Sequence, residues 1–189
     1  MVRQVRYGGG REALVEAAVE IVAAKGLRGL TFRAVAAQAG VNNSLVAHHF
    51  GTRDALLAAA LEWAVERSID TTLLLDFESE QRFTNALLES LVVAPGIQVF
   101  QYEMILEARR NPLFALPVKR LYERYFDVTR ESLRRHVPDG DLDAVARHVF
   151  SALEGFVLQY LAGVEEDSIR AGLHALWAVI VDRSSTTKA

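Results

Sequence analysis

Apolar residues recur three and four positions apart along almost the whole chain, and no long stretch alternates with a period of two. A period near 3.6 residues is typical of helices that bury one face, whereas a period of two is typical of strands. Glycines, prolines and short acidic runs interrupt the pattern. The sequence therefore predicts an all-α protein of about nine helices, three short ones followed by about six longer ones.

The interruptions also give the expected bounds of the helices. Gly26, Gly40 and Gly51 end the first three helices, since glycine adopts the backbone conformation of a helix C-terminus. Thr31, Asn42 and Thr52 are suited to cap the helices that follow. We expect a first helix ending at Lys25, and the others at residues 31–38, 42–49, 53–75, 79–94, 97–110, 113–136, 141–164 and 167–182. Pro95-Gly96 is interpreted as a break, and Pro117 as a kink or a delayed start.

Composition excludes several classes of protein. The 189 residues are 51% hydrophobic and 24% charged, as in ordinary folded domains, and none is cysteine, which excludes disulfides and thiolate metal sites. No uninterrupted apolar run approaches the roughly 18 residues of a spanning helix, and residues 1–6 lack the apolar region of a secretory signal. We expect a cytoplasmic protein with no membrane partner.

The charge is distributed unevenly along the chain. Residues 1–56 contain seven Arg and Lys against four acids, a net charge of +3, whereas residues 57–189 contain fourteen against twenty, a net charge of −6. A basic N-terminal part and an acidic remainder are expected when one part of a protein binds a polyanion such as a nucleic acid. Chance also produces an excess of this size, so the charge alone leaves both interpretations open.

Residues 31–50 have the pattern of a helix-turn-helix. Two helices of fewer than ten residues are joined through Gly40, which supplies a left-handed turn, and Ala36 is small enough for the helices to cross closely. Val41, Leu45 and Val46 are expected to pack the second helix onto the first and onto Leu14, Ile21 and Leu30.

The outward face of the second of these helices is polar but almost uncharged. Asn43, Ser44, Ala47 and His48 are expected to point outward, as short side chains that can reach base edges in a major groove. Arg33 and Arg53 flank this face. The alternative is an ordinary corner between two helices of a bundle, although a solvated face there is more often rich in Glu and Lys.

Residues 40–57 resemble the recognition-helix signature of the TetR family of bacterial transcriptional regulators. Residues 17–31 are similar to the first helix of that family and the turn that follows it, so the specific resemblance covers residues 10–57. The resemblance implies a three-helix DNA-binding head at residues 1–52 and a larger helical ligand-binding and dimerisation domain at residues 53–189. It further implies a homodimer that binds a palindromic DNA operator, commonly as a repressor, and leaves it when a small molecule binds.

The resemblance also assigns individual residues to DNA. Thr31 and Arg33 would contact phosphate, as would His49 and Arg53, the last at a helix N-terminus. Asn43, Ser44 and His48 would face bases. The family has a serine where this chain has Asn42, and a phosphate-binding tyrosine where it has Ala47. The complete set of expected DNA-binding positions is Thr31, Arg33, Asn42, Asn43, Ser44, Ala47, His48, His49 and Arg53.

Loss of the tyrosine removes one positioning contact with DNA. We therefore expect the affinity for DNA to depend more on Arg3, Arg6 and Arg11 in an N-terminal arm. The same loss supports an alternative function, in which a helical dimer binds a ligand or another protein while its head no longer binds DNA.

The acidic part of the chain, residues 57–189, is expected to bind a small molecule and a second copy of the chain. Aromatic and polar side chains on the middle helices suit a hydrophobic or aromatic effector. The candidate pocket residues are Trp63, Gln98, Phe100, Tyr102, Glu103, Met104, Tyr122, Phe126 and His148. The last two helices are apolar on more than one face, which indicates a dimer of two helices from each chain. Its candidate residues are Leu153, Phe156, Tyr160, Leu173, Leu176, Trp177 and Ile180; burial within one subunit is the alternative.

No pattern of catalytic or cofactor-binding residues is found. Gly8-Gly9-Gly10 lacks the Gly-Lys-Ser/Thr of a phosphate loop. Asp139, Asp141 and Asp143 alternate as in a calcium loop, but the positions that require glycine and glutamate hold alanine and phenylalanine. Glu103 and Glu107 lack the nearby histidine of a carboxylate metal site. We therefore expect that the protein is not an enzyme and that it binds no metal ion and no cofactor.

Overall fold

The computed structural model describes residues 10–71, 78–138 and 140–186, in which the chain forms nine α-helices and no strand. These are α1 (Gly10–Lys25), α2 (Phe32–Ala39), α3 (Asn43–Phe50), α4 (Arg53–Thr71), α5 (Glu80–Val93), α6 (Pro95–Ala108), α7 (Ala115–Leu133), α8 (Leu142–Leu161) and α9 (Glu166–Thr186). Short 3-10 turns precede α2 at Leu27–Gly29 and α7 at Pro112–Phe114. Within these residues the prediction of an all-α protein of about nine helices is confirmed. Helices α2 and α3 are short, as expected, but α1 has 16 residues and is longer than α5 and α6, which have 14 each.

The break between two helices expected at Pro95-Gly96 is present, because α5 ends at Val93 and Pro95 and Gly96 form the first turn of α6. Proline suits a first helical position because the N–H that it lacks would have no partner within the helix. A methyl group at Gly96 would lie 3.4 Å from the Cβ of Ala23 on α1, at the lower limit of ordinary van der Waals contact, so a larger side chain would not fit without a shift. The absence of a side chain at Gly96 therefore allows α6 to approach α1 closely.

Other helix bounds differ by a few residues from the predicted ones. The predicted helix at residues 113–136 begins with a 3-10 turn, and Pro117 lies in the first turn of α7, where a missing N–H costs no hydrogen bond. Asp141, at the N-cap position of α8, makes no capping hydrogen bond through its side chain. Residues 72–75 of the predicted fourth helix lie outside the described residues, as does Asp139.

The chain folds into two compact units, and neither is a continuous stretch of sequence. The first contains residues 1–68 and 96–121, and the second contains residues 69–95 and 122–189. These limits differ from the expected division after residue 52, because most of α4 and nearly all of α6 belong to the same unit as α1–α3.

In the first unit, α1, α2 and α3 form the three-helix head and share one apolar core. The α1 side chains Leu14, Ala18 and Val22 are completely buried, as are Val35 of α2 and Val46 of α3. Helices α2 and α3 have eight residues each and are too short to be stable in isolation, so burial of these apolar side chains supplies most of their stability.

The second unit is built around α5, α8 and α9. Phe83 of α5 packs against Trp177 of α9, with ring centroids 5.6 Å apart. Two polar contacts join the same helices: the Arg170 guanidinium donates to Asn85 Oδ1 at 3.1 Å, and His174 Nδ1 lies 2.8 Å from Glu80 Oε1. Aromatic packing and edge polar contacts thus fix α9 along α5.

No single helix among the described residues is long and apolar enough to cross a membrane. Only α5 and α6 taken together, across the bend at Ala94, reach the required length and composition.

Candidate nucleic-acid interface

Capping residues fix both ends of the two short helices. The Thr31 hydroxyl accepts a hydrogen bond from the Ala34 N–H at 3.1 Å, and Asn42 Oδ1 accepts one from the Ser44 N–H at 2.9 Å. Between the helices, Gly40 adopts φ 69° and ψ 31°, the left-handed conformation that glycine reaches without strain. The helix-turn-helix expected from residues 31–50 is therefore present, and local hydrogen bonds determine its geometry.

The outward face of α3 carries five consecutive or near-consecutive exposed residues: Asn43, Ser44, Ala47, His48 and His49. The Ser44 hydroxyl donates to Asn42 Oδ1 at 2.9 Å, so its oxygen is held near the start of the helix with its lone pairs available. The two imidazole rings have centroids 5.4 Å apart. This face combines donors and acceptors on short side chains, as base recognition requires.

Arg53 has a role within the head that the sequence did not indicate. Its Nη2 donates to the Leu27 carbonyl at 2.6 Å, and its Nε donates to the Leu30 carbonyl at 3.4 Å. These bonds join the first residue of α4 to the turn that precedes α2. Arg53 is thus a positioning residue for the head, and only its remaining N–H groups are available to a phosphate.

The other expected phosphate-binding residues lie at the surface of the head. Thr31 and Arg33 are exposed at the start of α2. Arg11 belongs to α1, with its guanidinium 5.3 Å from the centroid of the Phe50 ring, so it is fixed in the head rather than part of an arm. Arg3 and Arg6 lie outside the described residues.

The two compact units differ in net charge, as the two parts of the sequence do. The first unit has twelve Arg and Lys against eight Asp and Glu, a net charge of +4. The second has nine against sixteen, a net charge of −7. The positive potential that a nucleic acid would meet is therefore concentrated in the unit that presents α3.

Helix α6 contacts the head at both of its ends. Near its start, Gly96 faces Ala23 of α1, as described above. Just after its end, Asn111 Nδ2 donates to Asp54 Oδ2, in the first turn of α4, at 3.3 Å. A carboxylate oxygen of Glu103 lies 3.9 Å from the position of a Cβ on Gly26. Pattern analysis missed these contacts because they join residues far apart in sequence.

The candidate pocket residues of the first unit are placed differently from one another. Phe100 and Met104 are completely buried, whereas Trp63, Tyr102 and Glu103 are half-buried. Gln98 Nε2 donates to the buried Ser68 hydroxyl at 3.2 Å, which joins α6 to α4. Phe100 and Met104 therefore act in the core, and the half-buried members retain surface that a ligand can reach.

In the second unit, Tyr122 belongs to a cluster of aromatic and acidic side chains between α7 and α8. Its hydroxyl donates to Glu154 Oε1 at 2.8 Å. Phe150 lies edge-on to Tyr122 at 6.0 Å and stacks on Tyr125 at 5.8 Å. Burial, together with the hydrogen bond to Glu154, raises the pKa of Tyr122 and keeps its phenol protonated. We call Tyr122, Tyr125, Phe150 and Glu154 the acidic aromatic cluster.

The remaining candidates of the second unit lie near this cluster in sequence but differ in role. The ring of Phe126 is covered by the guanidinium of Arg147, which lies 4.2 Å from the ring centroid. His148 is exposed. The sequence therefore indicated Tyr122 but missed Glu154, Phe150 and Tyr125, since their proximity depends on how α7 and α8 pair.

Four of the seven expected dimer-interface residues, Leu153, Leu173, Leu176 and Ile180, are buried inside the subunit. Phe156, Tyr160 and Trp177 are half-buried, and Trp177 packs against Phe83 and His136. The exposed face of these two helices carries small and apolar residues instead: Ser151, Leu158 and Ala162 on α8, and Ala171, Ala175, Ala178 and Val179 on α9. We call this set the α8–α9 outer face.

Two family models match the chain. Residues 14–60 match the family described as bacterial regulatory proteins, tetR family, and residues 78–183 match the tetracyclin repressor-like C-terminal domain. The second match alone covers more than half of the chain. No curated protein sequence matches.

Several solved structures have the same fold and match this chain over nearly its full length. A TetR-family transcriptional regulator from Rhodococcus sp. is 22% identical, with 93% of this chain and 100% of that chain covered and a TM-score of 0.78. A TetR-family member from Streptomyces coelicolor A3 is 30% identical, with coverages of 88% and 96% and a TM-score of 0.68. The multidrug binding protein EbrR, complexed with proflavin, is 27% identical, with coverages of 88% and 98% and a TM-score of 0.60.

The TetR family consists of DNA-binding regulators that respond to small molecules and are not enzymes. Its N-terminal model covers the helix-turn-helix described above, and its C-terminal model covers α5 to α8 and most of α9. The chain belongs to the TetR family of transcriptional regulators, with a DNA-binding head and a ligand-binding C-terminal region.

Proposed function

We propose that the chain is a repressor that binds a palindromic operator as a homodimer and is released by a small organic cation. The observation that carries this proposal is the capped α3, which presents an uncharged polar face in the unit whose net charge is +4. Asn43, Ser44 and His48 contact base edges, while Thr31, Arg33 and His49 contact phosphates.

The two copies meet through the α8–α9 outer face. Small side chains on this face allow close approach of helices, and Leu158 and Val179, each 47% exposed, supply apolar area. A two-fold axis through this interface gives each operator half-site one head, with recognition helices roughly 34–36 Å apart, about one turn of duplex. The observed burial of Leu153, Leu173, Leu176 and Ile180 supports this face over the one expected from sequence.

Release depends on α6. This helix lies in the ligand-binding region by sequence, yet it packs on the head through Gly96 and through the Asn111–Asp54 hydrogen bond. A ligand that shifts α6 moves α1 and the start of α4 with it and changes the spacing of the two heads. A differential affinity of about 3 kcal/mol between the two states is sufficient to release most of the protein.

This coupling predicts the effect of substitutions at Gly96. Gly96→Val places a branched side chain against Ala23 and displaces α6 from α1, so we expect operator affinity to fall roughly tenfold without any ligand. Gly96→Ala alone is expected to have a smaller effect, and Ala23→Gly should restore its affinity by removing the opposing methyl. Fluorescence anisotropy with labelled operator measures each variant, and unchanged affinity of Gly96→Val would contradict the role of α6.

The effector binds at the acidic aromatic cluster. Aromatic faces attract cations, and a half-buried carboxylate supplies the opposite charge, so the cluster suits an organic cation with an apolar body. Two structural relatives support this class: one is a transcriptional regulator from Saccharomonospora viridis in complex with choline, and the other is EbrR with proflavin. Choline is a quaternary ammonium ion and proflavin a planar aromatic cation.

The first experiment measures binding of labelled DNA from upstream of the gene at several salt concentrations, by anisotropy. Saturable binding that resists competitor DNA and weakens steeply with salt is the expected result. His48→Ala is expected to lower operator affinity by about 1–3 kcal/mol and to relax preference at one base pair. His174→Ala, a histidine on α9 in the second unit, is the matched control.

Weak binding that is equal on all duplexes would contradict the proposal. It would favour the alternative function, in which a helical dimer binds a ligand or another protein and its head no longer binds DNA. Ala47→Tyr distinguishes these outcomes further. If that variant alone binds the upstream DNA tightly, the tyrosine contact is essential and the wild-type chain does not act as a repressor at this site. If both bind, Ala47 is tolerated.

A further inference from the structure

The loop after α6 carries two adjacent arginines, Arg109 and Arg110, and both are exposed. Arg110 pairs with Glu107 at 3.4 Å, but its side chain is 72% exposed, and such a surface pair contributes little. Within the described residues, no hydrogen bond or ion pair holds the side chain of Arg109. These two guanidinium groups therefore remain available to an external anion.

The loop is fixed next to the start of α4. Asn111 uses its amide N–H to bond Asp54 at 3.3 Å, while its Oδ1 accepts from the Leu113 N–H at 3.1 Å. The side chain is thus held at both ends, and the arginines precede it directly. Since neighbouring Cα atoms are about 3.8 Å apart, both arginine Cα atoms lie within roughly 18 Å of the Asp54 Cα.

The start of α4 is the part of the head that follows α3 directly. Gly51 and Thr52 alone separate the two helices, and the Thr52 hydroxyl caps α4 by accepting from the Ala55 N–H at 3.1 Å. A duplex in contact with α3 would pass near this helix end, and the long side chains of Arg109 and Arg110 would extend the basic surface beside it. The nearby acids are Asp54, which Asn111 engages, and Glu107.

We infer that Arg109 and Arg110 form an additional contact with the DNA backbone, outside the helix-turn-helix. This inference rests on the proposed operator binding. Guanidinium groups bind phosphate through paired N–H donors and carry no sequence information. Because this loop follows α6 directly, a shift of that helix moves Arg109 and Arg110 away from the DNA at the same time as it moves the heads.

The test is the double variant Arg109→Ala/Arg110→Ala, assayed against operator and against an unrelated duplex over a range of salt. We expect the slope of log K against log[salt] to decrease in magnitude by about one to two per subunit. Affinity for both duplexes should fall by the same factor, so that their ratio is unchanged. The Arg109→Lys/Arg110→Lys variant should retain most of the slope, because it keeps both charges.

Arg120→Ala is the matched control, since Arg120 is an exposed arginine of α7 in the same compact unit. A wild-type slope in the double alanine variant would overturn the inference, as would an altered response to effector with no change in slope. Failure of the wild-type chain to bind any duplex would overturn the proposed function as well. Thermal unfolding confirms that each variant is folded before its binding is compared.

Discussion

Glu154→Gln is expected to abolish most of the response to an organic cation while leaving operator affinity unchanged. The amide is nearly the same size and still accepts the hydrogen bond from Tyr122, so the variant removes the negative charge while this contact is kept. A half-buried carboxylate attracts a bound cation by a few kcal/mol at an effective dielectric constant near 20. We expect the proflavin concentration for half-maximal release to rise roughly 10- to 100-fold.

The measurement is release of labelled operator as proflavin or choline is added. Glu89→Gln, at an exposed glutamate of α5, is the matched control and should respond like the wild type. Acridine, under mildly alkaline conditions where it is neutral, tests whether the aromatic ring alone suffices. An unchanged response of Glu154→Gln, or an equal loss in the control, would contradict a charge-selective site. Failure of the wild type to respond to any cation would contradict the effector class but not operator binding.

The double variant Leu158→Glu/Val179→Glu is expected to convert the proposed dimer into a monomer. Both residues lie on the α8–α9 outer face, so dimerisation would bury four unpaired carboxylates at a cost of several kcal/mol. A single head then holds only one half-site. Operator affinity should fall on the order of 100-fold, because the gain from linking two binding modules is lost.

Sedimentation measures the oligomeric state, and anisotropy measures operator affinity. Val92→Glu is the control, since Val92 is an exposed apolar residue of α5 in the same unit and lies off the outer face. Circular dichroism checks that the helices remain. A Leu158→Glu/Val179→Glu protein that is still dimeric would assign the interface to another surface.

Local signals in the sequence were sufficient to predict the head. Thr31 and Asn42 cap the helices that they were expected to cap, and Gly40 has the left-handed conformation that the turn requires. Each signal acts within four residues along the chain. The expected bounds of α2 and α3 therefore agree with the observed ones to within a residue.

Contacts between distant residues were not predictable in the same way. An apolar stripe on α9 indicates burial but does not say whether the subunit itself or a partner covers it, which is why Leu173 and Ile180 were assigned to an interface. The hydrogen bonds of Arg53 were not predictable for the same reason, because the carbonyl groups that accept them lie 23 and 26 residues away in sequence. The acidic aromatic cluster depends on the pairing of α7 with α8, which periodicity does not specify.

The division into compact units has a consequence for engineering of hybrid regulators. The chain passes from one unit to the other three times, after Ser68, Pro95 and Leu121. A head transplanted from another regulator by a single junction near residue 52 would bring a foreign residue opposite Gly96, whereas Asp54, the partner of Asn111, would remain native. We therefore expect such a hybrid to keep its function only when the residues of the new head that face α6, the one at position 23 among them, are matched to Gly96.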